Sequence, residues 1–150
     1  MTSANPRPRI VEVAFWCWMA AAALLIVAGV LEMTMVKYSD MRHTFAASVP
    51  DSEVRSLFET YRTVAIVCVV LGMAIGYFAG RTRRGNKRFR RGTIALSVVG
   101  VVLLLAATVL LGGVGLLAVL AVIPLLLAVV AATREPASEW FDAVDSRERR

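Results

Sequence analysis

The sequence has few of the residues from which catalytic and metal sites are usually built. It contains one histidine, His43, and two cysteines, Cys17 and Cys68, with no Cys-x-x-Cys pair and no Cys/His cluster. This pattern excludes a zinc motif and a disulfide framework. The two thiols should lie about 9 Å apart in depth, so we expect both to be free and buried. Because nucleophile-elbow and phosphate-loop motifs are absent too, we expect no enzyme activity, no cofactor and no bound metal.

Charged residues are also absent from four long stretches, approximately residues 13–31, 63–80, 93–111 and 114–132. Polar and charged groups in mid-membrane are the usual mark of proton relays, ion paths and substrate sites. The stretches offer only weakly polar side chains such as Ser97. Their composition therefore argues against a transporter or pump.

These long apolar stretches dominate the sequence. Hydrophobic residues make up 58% of the chain, and the mean hydropathy is +0.68. The block 93–132 would form a helix of about 60 Å, twice the hydrocarbon thickness, so it must contain two spans. Gly112, Gly113 and Gly115 lie at its middle, where a tight reversal needs residues that tolerate a positive φ. The sequence predicts an all-α fold, an antiparallel four-helix transmembrane bundle in which Pro124 kinks the last span.

The segment between the first two spans, residues 32–62, is polar and nearly neutral, with four basic and five acidic residues. Within it, Ser48-Val-Pro-Asp51 resembles a helix start. An amphipathic stripe follows, formed by Val54, Leu57, Phe58 and Tyr61. We therefore predict a helical outward extension of the second span, which enters the bilayer near Thr63. Glu32 is expected to be solvated or to pair with Lys37.

Seven of the seventeen basic residues lie in one short loop between the second and third spans: Arg81, Arg83, Arg84, Lys87, Arg88, Arg90 and Arg91. Such a loop is typical of the cytoplasmic side of a membrane protein. It predicts a multi-pass protein of the plasma membrane whose N-terminal segment, 1–12, and C-terminal tail, 133–150, are cytoplasmic. The net charge of +6 does not indicate nucleic acid binding, because the loop lacks a folded scaffold to present it. The loop either sets topology alone, binds anionic lipid headgroups or docks an acidic protein.

Small residues recur every fourth position in the second span: Cys68, Gly72, Gly76 and Gly80. This spacing places them on one helix face, where another helix can approach closely. The stripe predicts helix packing, either within the bundle or between two copies of the chain.

Aromatic residues stand near the ends of the spans, where amphipathic rings favour the headgroup level. We expect Phe15, Trp16 and Trp18 at the inner end of the first span, and Tyr61 at the outer boundary of the second.

The Phe15-Trp16 pair in the first span and the pattern Pro136-x-x-x-Trp140-Phe141 after the last are accompanied by a long outer loop and an Arg/Gly-rich middle loop. Together these features resemble a group of small actinobacterial four-span integral membrane proteins of unassigned function. The resemblance covers nearly the whole chain. It implies the architecture and the host, and it supplies no catalytic or binding residues.

The sequence favours a non-enzymatic structural or accessory role, as a small subunit of a larger envelope or respiratory membrane assembly. The alternative is a transporter or channel component, and a third possibility is a lipid-binding protein that acts through the basic loop. The expected partners are the bilayer, anionic lipids, and other membrane subunits or a second copy of the chain.

Overall fold

The computed structural model describes residues 9–82, 87–111 and 115–134, and the regular structure in these ranges is entirely helical. The prediction of an all-α fold is confirmed. Five helices follow in chain order: α1 (Arg9–Met35), α2 (Tyr38–Thr44), α3 (Asp51–Thr82), α4 (Lys87–Leu111) and α5 (Leu116–Thr133).

Four of these helices, α1, α3, α4 and α5, are long and apolar enough to cross a membrane. Their most apolar stretches have mean hydropathies between 2.2 and 2.8. The block 93–132 is divided between α4 and α5 as predicted, although Gly112 and Gly113 lie outside the described residues. Pro124 lies inside α5. The chain is an integral membrane protein with a four-helix transmembrane fold.

The helical extension of the second span is present. With 32 residues, α3 is about 48 Å long, which exceeds the hydrocarbon core of roughly 30 Å. It begins at Asp51, the last residue of the predicted helix start Ser48-Val-Pro-Asp51. The short helix α2, which the sequence did not predict, packs against the extension. Arg42 Nε lies 2.7 Å from Asp51 Oδ1, and the rings of Tyr38 and Phe58 meet edge to face at 5.8 Å.

The four long helices form a closed ring in which α1 and α4 occupy opposite corners, and each packs on both α3 and α5. Buried residues of α1 alternate at spacings of three and four: Ala14, Trp18, Ala21, Leu25 and Ala28. The buried face of α5 has the same spacing: Ala118, Ala121, Leu125, Ala128 and Ala132. This heptad spacing keeps one face of each helix turned toward the helices that pack on it. The alanines on that face let the backbones approach closely.

The bundle has two distinct ends. At the α2 end, α1 ends at Met35 and α3 begins at Asp51. At the basic end, α3 ends at Thr82 and α4 begins at Lys87. Because the spans alternate in direction, the first residue of α1 and the last residue of α5 also lie at the basic end.

Candidate functional site

The small-residue stripe of α3 meets α1 at Gly72. A Cβ atom on Gly72 would lie 2.8 Å from the carbonyl oxygen of Ala22, closer than real Cβ atoms approach. Gly29 of α1 makes the reciprocal approach, because a Cβ there would lie 2.5 Å from the carbonyl oxygen of Ala65. The two glycines allow the backbones of α1 and α3 to touch. Gly72 therefore packs within the chain.

The other members of the stripe lie in different surroundings. Cys68 is buried, and a Cβ on Gly76 would make an ordinary 3.7 Å contact with Ala22. Gly80 is exposed, and among the described residues no atom beyond its own stretch of helix lies within 4 Å of its Cβ position. Within the stripe, the close approach to α1 is thus confined to Gly72. Gly29, the glycine of α1 that makes the reciprocal approach, was not singled out from the sequence. Gly29 follows Ala22 by seven residues, and this heptad spacing of small residues is the signal that could have found it.

A chain of polar side chains crosses the bundle core toward the basic end. Trp18 Nε1 donates to Ser97 Oγ at 3.0 Å, and Ser97 Oγ donates to the Thr93 carbonyl oxygen at 2.8 Å. The hydroxyls of Thr82 and Thr93 lie 3.0 Å apart. Trp18 does not face the surroundings of the bundle, because its side chain is 1% exposed, and Ser97 supplies the acceptor that a buried indole requires. Trp16 is 60% exposed and faces outward.

An apolar groove of about 230 Å³, the α3/α4 groove, runs between α3 and α4 toward the α2 end. It is lined by Thr60, Thr63, Val64, Val67, Cys68, Leu71, Leu103, Leu104, Ala106, Ala107 and Leu111. Val67 and Leu103 are 42% and 47% exposed, so the groove opens on the outer surface of the bundle. The hydroxyls of Thr60 and Thr63 donate to carbonyl oxygens of their own helix. The groove therefore suits an apolar occupant.

Side chains from two other helices bond to the last residue of α4 and to the residue that precedes α5. The hydroxyl of Tyr61 in α3 donates to the Leu111 carbonyl oxygen at 2.8 Å, at the last residue of α4. Gly115 N, at the start of α5, donates to Glu32 Oε1 of α1 at 2.8 Å. A carboxylate at a helix N-terminus interacts favourably with the helix dipole. Glu32 thus acts as an interhelical cap, a role that the expectation of solvation or pairing with Lys37 did not include.

At the basic end, Arg81 rests on aromatic rings. Its guanidinium carbon lies 5.6 Å from the ring centre of Tyr77 and 5.8 Å from that of Phe89, and its NH2 group donates to the Tyr77 hydroxyl at 3.3 Å. Arg88 and Arg91 are exposed, and the rest of this surface includes the half-buried Arg90. Arg83, Arg84 and the side chain of Lys87 lie outside the described residues. The described arginines can meet anions at the membrane surface.

Among the described residues, the His, Cys, Asp and Glu side chains, from which most catalytic and metal sites are built, are dispersed. Within the ranges 9–82, 87–111 and 115–134, no group of three His, Cys, Asp or Glu residues could hold a metal ion. Cys17 and Cys68 are free thiols, and His43 is exposed in α2. The α1–α3 contact, the buried hydrogen bonds and the α3/α4 groove instead support helix packing and surface contacts.

Comparison of the chain with known proteins supplies no relative from which a function could be carried over. No protein family model, no curated protein and no solved structure matches it.

Proposed function

We propose that the protein is a non-enzymatic accessory subunit that docks an apolar helix of a larger envelope or respiratory membrane assembly. The observation that carries this proposal is the α3/α4 groove, whose walls are aliphatic or small along its length. Small residues such as Ala106 and Ala107 let a second helix approach closely, and association in lipid depends on such close packing. A bundle surface without indentations would give a partner helix less contact area.

The polar groups of the core support this function over transport, the alternative. A transport path needs polar groups that face a water-lined cavity. Here Trp18, Ser97, Thr93 and Thr82 are buried and satisfy one another or nearby carbonyl groups. Their hydrogen bonds join α1 to α4 across the core and α3 to α4 where these two helices pack. We therefore assign these four side chains to structure.

We further propose that the protein resides in the plasma membrane of an actinobacterial cell, with both termini in the cytoplasm. The concentration of arginine at the basic end supports this orientation. The nearly neutral segment 32–62 at the opposite end supports it too. The bias of fifteen arginines to two lysines fits the proposed host.

Affinity purification in mild detergent, followed by mass spectrometry, tests the docking proposal. Ala106→Leu adds bulk to the wall of the groove at an exposed position of α4. Ala95→Leu makes the same change at an exposed position of α4 outside the groove and is the matched control. We expect a membrane protein to co-purify with the wild type and the control and to be lost from Ala106→Leu. Equal recovery with both variants, or no stoichiometric partner at all, would contradict the proposal.

A second function, binding of anionic lipids at the basic end, is favoured by the stacking of Arg81 on Tyr77 and Phe89, which holds its charge in place. Replacing Arg83, Arg84, Arg88 and Arg90 by Gln leaves Arg81, Lys87 and Arg91 to hold the topology. We expect this variant to retain less anionic lipid than the wild type, and the wild-type signal to weaken with salt. Unchanged lipid recovery would leave the loop with a role in topology alone.

A further inference from the structure

A second pocket, the α1/α3 pocket, lies between α1 and α3 at the α2 end. Its volume is about 120 Å³, and it is lined by Glu32, Met33, Val36, Phe58, Tyr61 and Arg62. None of these residues lines the α3/α4 groove. In contrast to that groove, the α1/α3 pocket combines an acidic group, a basic group and two aromatic rings.

The two charged residues of this pocket are not paired with each other. Neither belongs to the ion pairs formed by the described residues. Glu32 Oε1 accepts the hydrogen bond from Gly115 N, whereas Oε2 is buried and has no hydrogen-bond partner. A buried carboxylate oxygen without a donor is costly, and such an atom in a native fold calls for an explanation. The Glu32 carboxylate thus keeps an acceptor that no described residue satisfies, while the exposed Arg62 offers a cation in the same pocket.

The aromatic residues form a wall that suits a positive group. Tyr61 is held by the bond from its hydroxyl to the Leu111 carbonyl oxygen, and Phe58 is held by its edge-to-face contact with Tyr38. Ring faces attract ammonium groups, and more strongly where water is excluded. An ammonium near Glu32 Oε2 would therefore meet both a carboxylate and aromatic surface.

The position of the pocket along the length of the membrane spans indicates the source of its ligand. The charge-free stretch of α1 ends at Leu31, immediately before Glu32, and that of α3 begins at Thr63, immediately after Arg62. The pocket therefore lies at the boundary of the apolar spans, where lipid headgroups are found. A ligand that complements the two charged side chains carries both a cationic group for Glu32 and an anionic group for Arg62.

We propose that the α1/α3 pocket binds the phosphoethanolamine headgroup of a zwitterionic phospholipid. The primary ammonium pairs with the Glu32 carboxylate and packs against Phe58, and the phosphate accepts from the guanidinium of Arg62. A quaternary choline headgroup has no N–H to donate, so it fits less well. An anionic headgroup without an ammonium leaves Glu32 Oε2 unpaired and adds like-charge repulsion.

Competition among lipids tests the proposal. The full chain, purified in detergent, is mixed with equal amounts of phosphatidylethanolamine, phosphatidylcholine and phosphatidylglycerol, and retained lipids are counted by native mass spectrometry. We expect the wild type to retain phosphatidylethanolamine preferentially. Glu32→Gln and Arg62→Gln should each weaken this binding by about tenfold, the loss expected for one hydrogen bond to a charged group. Gln at position 32 keeps an amide oxygen that can accept from Gly115 N, so the fold should survive, and thermal unfolding checks this.

Two exposed residues outside the pocket provide matched controls. Glu53→Gln and Lys37→Gln remove the same charges, and both should retain phosphatidylethanolamine as the wild type does. Equal retention of the three lipids by the wild type, or equal losses in pocket and control variants, would overturn the proposal. A calorimetric titration with free phosphoethanolamine distinguishes the source of the ligand. Binding of the free compound without preferential lipid retention would overturn a lipid as the natural occupant.

Discussion

The lack of a side chain at Gly72 lets the backbone of α3 pack closely on α1. We expect Gly72→Ala to lower the free energy of unfolding by about 1–3 kcal/mol, because its Cβ meets the Ala22 carbonyl oxygen of a rigid helix backbone. Gly80→Ala is the matched control, since its Cβ position is open and alanine favours the helix by up to about 1 kcal/mol. Thermal unfolding of both variants in detergent measures the difference. Equal midpoints would show that the close contact does not limit stability.

At the scale of the elements, the end of α4 and the start of α5 are bonded by side chains from α3 and α1, respectively. Tyr61→Phe removes the donor to the Leu111 carbonyl oxygen while keeping the ring. We expect the C-terminal turn of α4 to open more often, because its terminal carbonyls lack partners within the helix. Hydrogen exchange of the segment that ends at Leu111 should become faster. Tyr77→Phe, at an exposed tyrosine of the same helix, is the control, and equal exchange in both variants would contradict the role of Tyr61.

At the scale of the whole molecule, the charge distribution predicts one orientation in the membrane. Reporter fusions after Asp51 and after Arg91 should report opposite compartments, outside for the first and inside for the second. This result is expected because the seven basic residues of the middle loop resist translocation, whereas the segment 32–62 is nearly neutral. Fusions that report the same compartment would contradict the alternation of the four spans. Fusions that report the reverse arrangement would contradict the cytoplasmic location of the termini.

The sequence by itself determined the features that depend on local composition. Each span needs about twenty apolar residues, so four helices could be recognised without knowledge of their neighbours. The start of α3 was likewise recognisable to within the segment Ser48-Val-Pro-Asp51, because capping residues and an early proline act within one turn. The small-residue spacing around Gly72 marked a packing face without naming the helix that packs on it.

Only the tertiary structure decided which side chains meet across the bundle. The bond from Trp18 to Ser97, the cap of Glu32 on Gly115 and the approach of Gly29 to α3 each join residues distant in sequence. They depend on how far each helix is rotated about its own axis. A span that is apolar on all sides carries little information about that rotation, because lipid and a neighbouring helix are almost equally apolar surroundings. The rotation is set by close contacts between the packed helices, and those contacts exist only once the bundle has formed.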